Sequence, residues 1–208
     1  MTQTGARMNV APEIIFLSGS LSEDSKTRLI ADWCAGQCVG RGALTHVFLG
    51  TDLEFPFYRP GAAARDRPEI RDYLRAMERA DAVVLVSPAY HGGVSGLLKN
   101  AIDYVNELAD ADRPLLDGRA IGCIAVARGE QGATSTLAML RTIGHALRGW
   151  PTPLGVALSN EQAHTDSGGA PVVERTRAQL KVMLGQVISH SRITARRRAS
   201  RTPAGTRR

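Results

Sequence analysis

A chain of 208 residues, 43% hydrophobic and only 5% aromatic, can bury one core and is too apolar to be disordered or fibrous. The net charge of +6 points first to nucleic acid, yet residues 191–208 hold seven arginines and no acid, which leaves the rest of the chain at −1. The basicity therefore belongs to one end, and nucleic acid is not an expected partner.

The chain reads as an N-terminal extension over 1–12, one α/β domain over 13–190 and a disordered basic tail over 191–208. Glu13-Ile14-Ile15-Phe16-Leu17-Ser18 is an apolar run that breaks at Gly19, as a buried parallel strand does. Residues 25–39 then take helical spacing, with Leu29, Ile30, Trp33 and Cys34 on one face and Ser25 as N-cap. A second strand over 43–49 ends at Gly50. Pro56, Pro60 and Pro68 punctuate a long loop whose Phe55, Phe57 and Tyr58 are candidates for a pocket wall or a dimer contact.

A charged amphipathic helix over 70–79 feeds the strand at 82–87, and a helix over 95–108 follows. In that helix Lys99, Asn100 and Asp103 read as one local polar network. A fourth strand over 119–127, a helix over 134–147, a fifth strand over 153–158 and a helix over 171–190 complete the series. Strands alternating with helices imply a parallel sheet with helices on both faces. The fold class is a three-layer, doubly wound, flavodoxin-like α/β domain, its five parallel strands in the order 2-1-3-4-5.

In such sheets a ligand sits beyond the carboxyl ends of the strands where strand order reverses, so the loops after strands one, three and four carry the interest. The first loop offers Ser18, Ser20, Ser22, Ser25, Lys26 and Thr27 ahead of a helix start, where unpaired N–H groups and the helix dipole favour an anion. It lacks the Gly-x-Gly-x-x-Gly fingerprint and a Walker loop, which leaves a hydroxyl-lined cradle for a monophosphate. Plain N-capping by Ser25 is the competing reading. The second loop, Pro88-Ala89-Tyr90-His91-Gly92-Gly93, offers an aromatic face and close backbone approach. The third presents Arg128, Gly129 and Glu130, which serve either as anion-binding backbone or as simple turn residues.

Cys34, Cys38 and Cys123 lack the spacing of a metal or disulfide framework and read as buried thiols in a reducing cytoplasm. His46, His145, His164 and His190 stand apart from other ligand residues, so no metal is expected. No apolar stretch reaches the length of about 18 residues that a membrane span needs, and residues 1–12 have no signal-peptide core. No membrane association is expected, and the location expected is cytoplasmic.

Residues 87–104, Ser-Pro-Ala-Tyr-His-Gly-Gly-Val-Ser-Gly-Leu-Leu-Lys-Asn-Ala-Ile-Asp-Tyr, resemble the segment of the NADPH-dependent FMN reductase family in which Pro-Glu-Tyr-Asn-Gly precedes a Leu-Lys-Asn-Ala-Ile-Asp helix. With the Gly-Ser-x-x-x-x-Ser loop at Gly19, Ser20 and Ser25, the resemblance spans roughly residues 13–160, the extent of one such domain. Ala89 stands where the family carries an acid, His91 where it carries Asn, and Ser22 where many members carry Arg.

The resemblance implies bound FMN, NADPH or NADH as co-substrate, a small-molecule electron acceptor, and a homodimer or homotetramer. It implies that the three loops hold the flavin, with His91 the candidate catalytic residue through hydrogen bonding or proton donation. Two alternatives stay open: an FMN-dependent dehydrogenase that oxidises a biosynthetic organic acid with oxygen as acceptor, and a flavodoxin-like electron carrier without turnover.

Overall fold

A computed structural model describes residues 10–61 and 64–201. Residues 1–9 of the expected extension and 202–208 of the expected tail lie outside the described residues.

The first apolar run forms β1 (Glu13–Ser18), and the alternation of its side chains sets the layering. Ile14 and Phe16 pack with α1 (Lys26–Val39) and α5 (Glu174–Arg201). Ile15 and Leu17 face the opposite layer, made of α2 (Pro68–Arg79), α3 (Gly96–Asp103) and α4 (Glu130–Ala146). β3 (Ala82–Tyr90) and β5 (Ala120–Ala127) repeat the pattern, with Val84 and Ile124 turned to the first layer and Leu85 and Cys123 to the second. Burial on both faces is the reason these strands are apolar throughout.

The strands are parallel in the order β2 (Leu44–Leu49), β1, β3, β5, and the fifth position is shared by β6 (Trp150–Pro151) and β7 (Val156–Ser159). This is the flavodoxin-like order expected from the sequence, with one addition: β4 (Gly93–Val94) folds back antiparallel on the end of β3. The expected fifth strand over 153–158 starts late, at Val156, and a two-residue strand at Trp150–Pro151 precedes it; Pro151 and Pro153 have no N–H to give, and pairing with β5 lapses after Pro151 and resumes at Val156. The helix expected over 134–147 begins at Glu130, which turns most of the third loop into its first turn.

The disordered tail expected from residue 191 does not begin there: α5 continues to Arg201. Ser191, Thr194 and Ala195 are buried, and Arg198 reaches Asp81, so residues at helical spacing dock the extension on the body. Small side chains and an arginine make that face, and an apolar-periodicity reading passes over them.

The amino ends of the strands are closed by buried charge. Asp81, fully buried, accepts the Glu13 N–H at 3.0 Å and both Nε and Nη2 of Arg198 at 3.1 and 2.9 Å. Arg119, also fully buried, donates to the carbonyls of Glu78, Ala80 and Leu115 at 2.7 to 3.1 Å and so satisfies the end of α2. Burial, reinforced by the neighbouring Arg113 charge, pulls its guanidinium down to about 9, still charged at neutral pH. The Cys38 and Cys123 thiols are pushed up to about 12 by burial, and burial raises Cys34 as well.

Two outcomes follow. Arg198→Met leaves the buried Asp81 carboxylate with the Glu13 N–H and the more distant Arg113 at 4.0 Å, and should cost about 3 kcal/mol, the scale for breaking a buried ion pair, read from urea unfolding. The three cysteines should resist a thiol reagent at neutral pH in folded protein and react at the rate of unfolding, because all three are buried and burial pushes their thiols up.

Candidate functional site

β1 and β3 lie in register from Ile14 beside Ala82 to Ser18 beside Val86, and then part company. The chain leaves β1 for α1 on one face and leaves β3 for α3 on the other, so their carboxyl ends open a crevice. Gly19 allows this close parting: a Cβ there would lie 2.6 Å from the Leu98 Cβ on α3. Ser95 caps α3 through the Leu98 N–H and donates its own N–H to Ser87 Oγ, fixing the α3 side of the opening.

Above the crevice lies an open cleft of about 640 Å³. Ser25, Lys26 and Thr27 line it from the start of α1, and Pro88, Ala89, Tyr90 and His91 from the end of β3. Arg128 lines it from the turn after β5. These are eight of the fifteen residues expected from the sequence at the site, brought together from all three loops.

The other seven take different places. Ser18 is fully buried beneath the cleft, its Oγ without a hydrogen-bond partner among the described residues. Ser20 and Ser22 line a neighbouring groove of about 260 Å³ shared with Leu49, Thr51 and Asp52. Gly92 and Gly93 shape the turn beside the cleft, while Gly129 and Glu130 are the N-cap and first residue of α4. Val126, Ala127 and Asn160 line the cleft without having been singled out. Asn160 follows β7, the one strand end the sequence reading left unexamined, and the reversal rule applied there would have found it.

The cleft is tied down by polar contacts. Ser25 Oγ accepts the Arg28 N–H as the N-cap of α1 and lies 2.5 Å from Thr27 Oγ1. Lys26 Nζ donates to the Asn160 carbonyl and side-chain oxygens at 2.8 and 2.6 Å, which fastens the start of α1 to the end of β7. On the far wall, His91 and Gly92 are the two central residues of the β3–β4 hairpin, with φ of 53° and 78°. That is the left-handed pair of a type I′ turn. Ser135 Oγ on α4 donates to the Gly92 carbonyl at 2.9 Å and holds the turn in place. Gly132 lets α4 start close to the sheet, since a Cβ there would lie 3.3 Å from Ala127 Cβ.

The expected Lys99-Asn100-Asp103 network divides. Lys99 and Asp103 pair at 2.7 Å, whereas Asn100 turns to the proline loop, accepting the Tyr58 N–H and donating to the carbonyls of Phe55 and Pro56. Phe55 enters the core and Phe57 is 88% exposed beside a separate groove of about 500 Å³, so neither lines the cleft.

The donor set fits a flavin mononucleotide. First-turn N–H groups of α1, the Ser25 and Thr27 hydroxyls and the Lys26 ammonium suit a phosphate monoester. Pro88, Ala89, Val126 and Ala127 give an apolar wall, and the volume falls within the range of about 300–1,000 Å³ usual for cofactor sites.

A family model described as NADPH-dependent FMN reductase matches residues 12–165. The chain is 28% identical over 125 residues to an NADPH azoreductase of a Bacillus species, a match covering 60% of this chain and 64% of that protein. It is 26% identical over 167 residues to the NADPH-dependent FMN reductase ArsH of Acidithiobacillus ferrooxidans, covering 80% and 68%. Among solved structures, the FerB flavoenzyme of Paracoccus denitrificans, an NAD(P)H:(acceptor) oxidoreductase, superposes with a TM-score of 0.67 at 18% identity, over 86% of this chain and 99% of that one. At that identity the superposition speaks to the fold.

Gly92→Ala places a Cβ in the left-handed region and should cost about 1–2 kcal/mol, measured by urea unfolding. No loss would mean that the hairpin is not built as described.

Proposed function

The chain belongs to the NADPH-dependent FMN reductase family, and from that premise we propose that it is an FMN-dependent oxidoreductase that takes electrons from NADPH or NADH and delivers them to a small organic acceptor. One observation carries the reading: the start of α1, the end of β3 and the turn after β5 converge on a single cleft whose donors suit a phosphate at one end and whose walls suit a flat ring at the other. The similarity to an azoreductase makes azo compounds, with quinones, the acceptors to try first.

FMN, when bound, supplies the two-electron chemistry between nicotinamide and acceptor, so the protein's part is binding, orientation and electrostatics. Lys26 and the α1 N-terminus hold the phosphate, with Lys26 kept in place by Asn160. Ser18, Ser20 and Ser22 support the loop from below and beside it rather than facing the ligand. The Tyr90-His91-Gly92-Gly93 turn, tied by Ser135, bounds the outer side and leaves Tyr90 and His91 exposed to an incoming partner. Gly129 and Glu130 bring the start of α4 to the ring edge, where its N–H groups and Arg128 favour negative charge.

The cytoplasmic location and the homodimer or homotetramer belong to the same proposal. Among the described residues no helix is long and apolar enough to cross a membrane. Exposed Phe57, Tyr90 and Met139 offer apolar surface to a second copy, which light scattering on a sizing column would detect.

Anaerobic mixing of FMN-reconstituted protein with NADPH, then NADH, tests the reading. The visible flavin band should bleach saturably at about 1–1,000 per second; absence of saturable bleaching with both nucleotides refutes it. Lys26→Met should weaken FMN about tenfold or more, the worth of a charge-assisted hydrogen bond, and leave riboflavin affinity nearly unchanged. Equal losses would place the phosphate elsewhere.

A further inference from the structure

His91 occupies a left-handed backbone position. With φ of 53° it is one of three non-glycine residues in the left-handed region among the described residues, in a turn where Asn or Gly fits better. Its imidazole is exposed and has no hydrogen bond or ion pair among the described residues, so the ring returns nothing to the fold for that strain. The turn is held by other atoms, the Ser135 hydroxyl on the Gly92 carbonyl and the pairing of Tyr90 with Gly93. Yet His91 lines the cleft. Of the three left-handed non-glycine residues, Leu115, Arg148 and His91, only His91 lines the cleft.

We propose that His91 gives the electron acceptor its proton, which makes the preferred acceptors of this enzyme those whose two-electron reduction also takes up protons, such as quinones and azo compounds. The inference rests on the FMN-dependent reading above. A quinone becoming a hydroquinone gains two electrons and two protons. FMN, when bound and reduced, would supply the electron pair and one of the protons. The second proton leaves the His91 imidazolium for the acceptor oxygen, and the neutral imidazole recovers a proton from water. Imidazole is the side chain whose ordinary titration spans neutrality, and it suits this role. The charged and titratable side chains that line the cleft with it are Lys26 from α1, Tyr90 from β3 and Arg128 from the turn after β5.

The test compares wild type with His91→Asn and His91→Gly, both of which suit the turn. Without FMN, the variants should keep the wild-type Tm or gain about 2–4 °C, the size expected for relief of about 1 kcal/mol in a chain of this length. With FMN and NADPH, turnover is read with menadione, which takes up protons, and with ferricyanide, which takes electrons alone. The ratio of menadione to ferricyanide turnover should fall about 100-fold in the variants, at the lower end for loss of a general acid. Wild-type menadione turnover should decline as pH rises, as general-acid catalysis requires, and the variants should lose that decline. A fall in Tm in both variants, an unchanged ratio or an unchanged pH profile overturns the proposal while leaving the FMN-dependent reading in place. Failure of wild type to retain FMN overturns both.

Discussion

β1 and β3 are the closest of neighbours along their length and strangers at their ends, and most of what this protein can do depends on that. Parallel pairing holds them together to Ser18 and Val86, with the Gly19 N–H still bonded to the Val86 carbonyl at 2.9 Å. Right-handed crossovers then send the chain to opposite faces of the sheet. The gap cannot be filled by the helices that cause it, so backbone N–H groups at helix starts remain turned toward solvent. A side chain at Gly19 would push α3 away and widen the opening, which makes this glycine a packing requirement rather than a flexible point.

The two ends of the sheet divide the work. At the amino ends, Asp81, Arg119 and Arg198 are satisfied by one another's neighbourhood: carboxylate to guanidinium, guanidinium to carbonyl. Such groups are costly to disturb and unavailable for chemistry. The carboxyl ends hold hydroxyls, an ammonium and an imidazole around an open cleft.

Strand identity and order were legible because a sheet buried on both faces leaves continuous apolar runs, and the reversal rule turned that order into three loops that meet at one cleft. Details finer than a loop were less legible. Ser20, Ser22 and Ser25 look alike in the sequence, yet only Ser25 lines the main cleft, because the chain turns between Ser22 and Ser25 before entering α1. Asn160 went unnoticed because the loop after the last strand, at the sheet edge away from the β1–β3 reversal, was not read for ligand contacts. The docking of residues 191–201 was missed for a different reason: a face of Ser191, Thr194, Ala195 and Arg198 buries well but carries no apolar period. The resemblance over residues 87–104 supplied the flavin, which spacing alone could not have named.

The central claim is a place: FMN lies in the cleft over the β1–β3 reversal with its phosphate on the start of α1. Amide hydrogen exchange with and without FMN reads that place directly. The account predicts slowed exchange at Lys26 and Thr27, across residues 88–93 and in the first turn of α4, with residues 54–61 beside the Phe57 groove unchanged. Protection confined to that groove, or none at the start of α1, would contradict it.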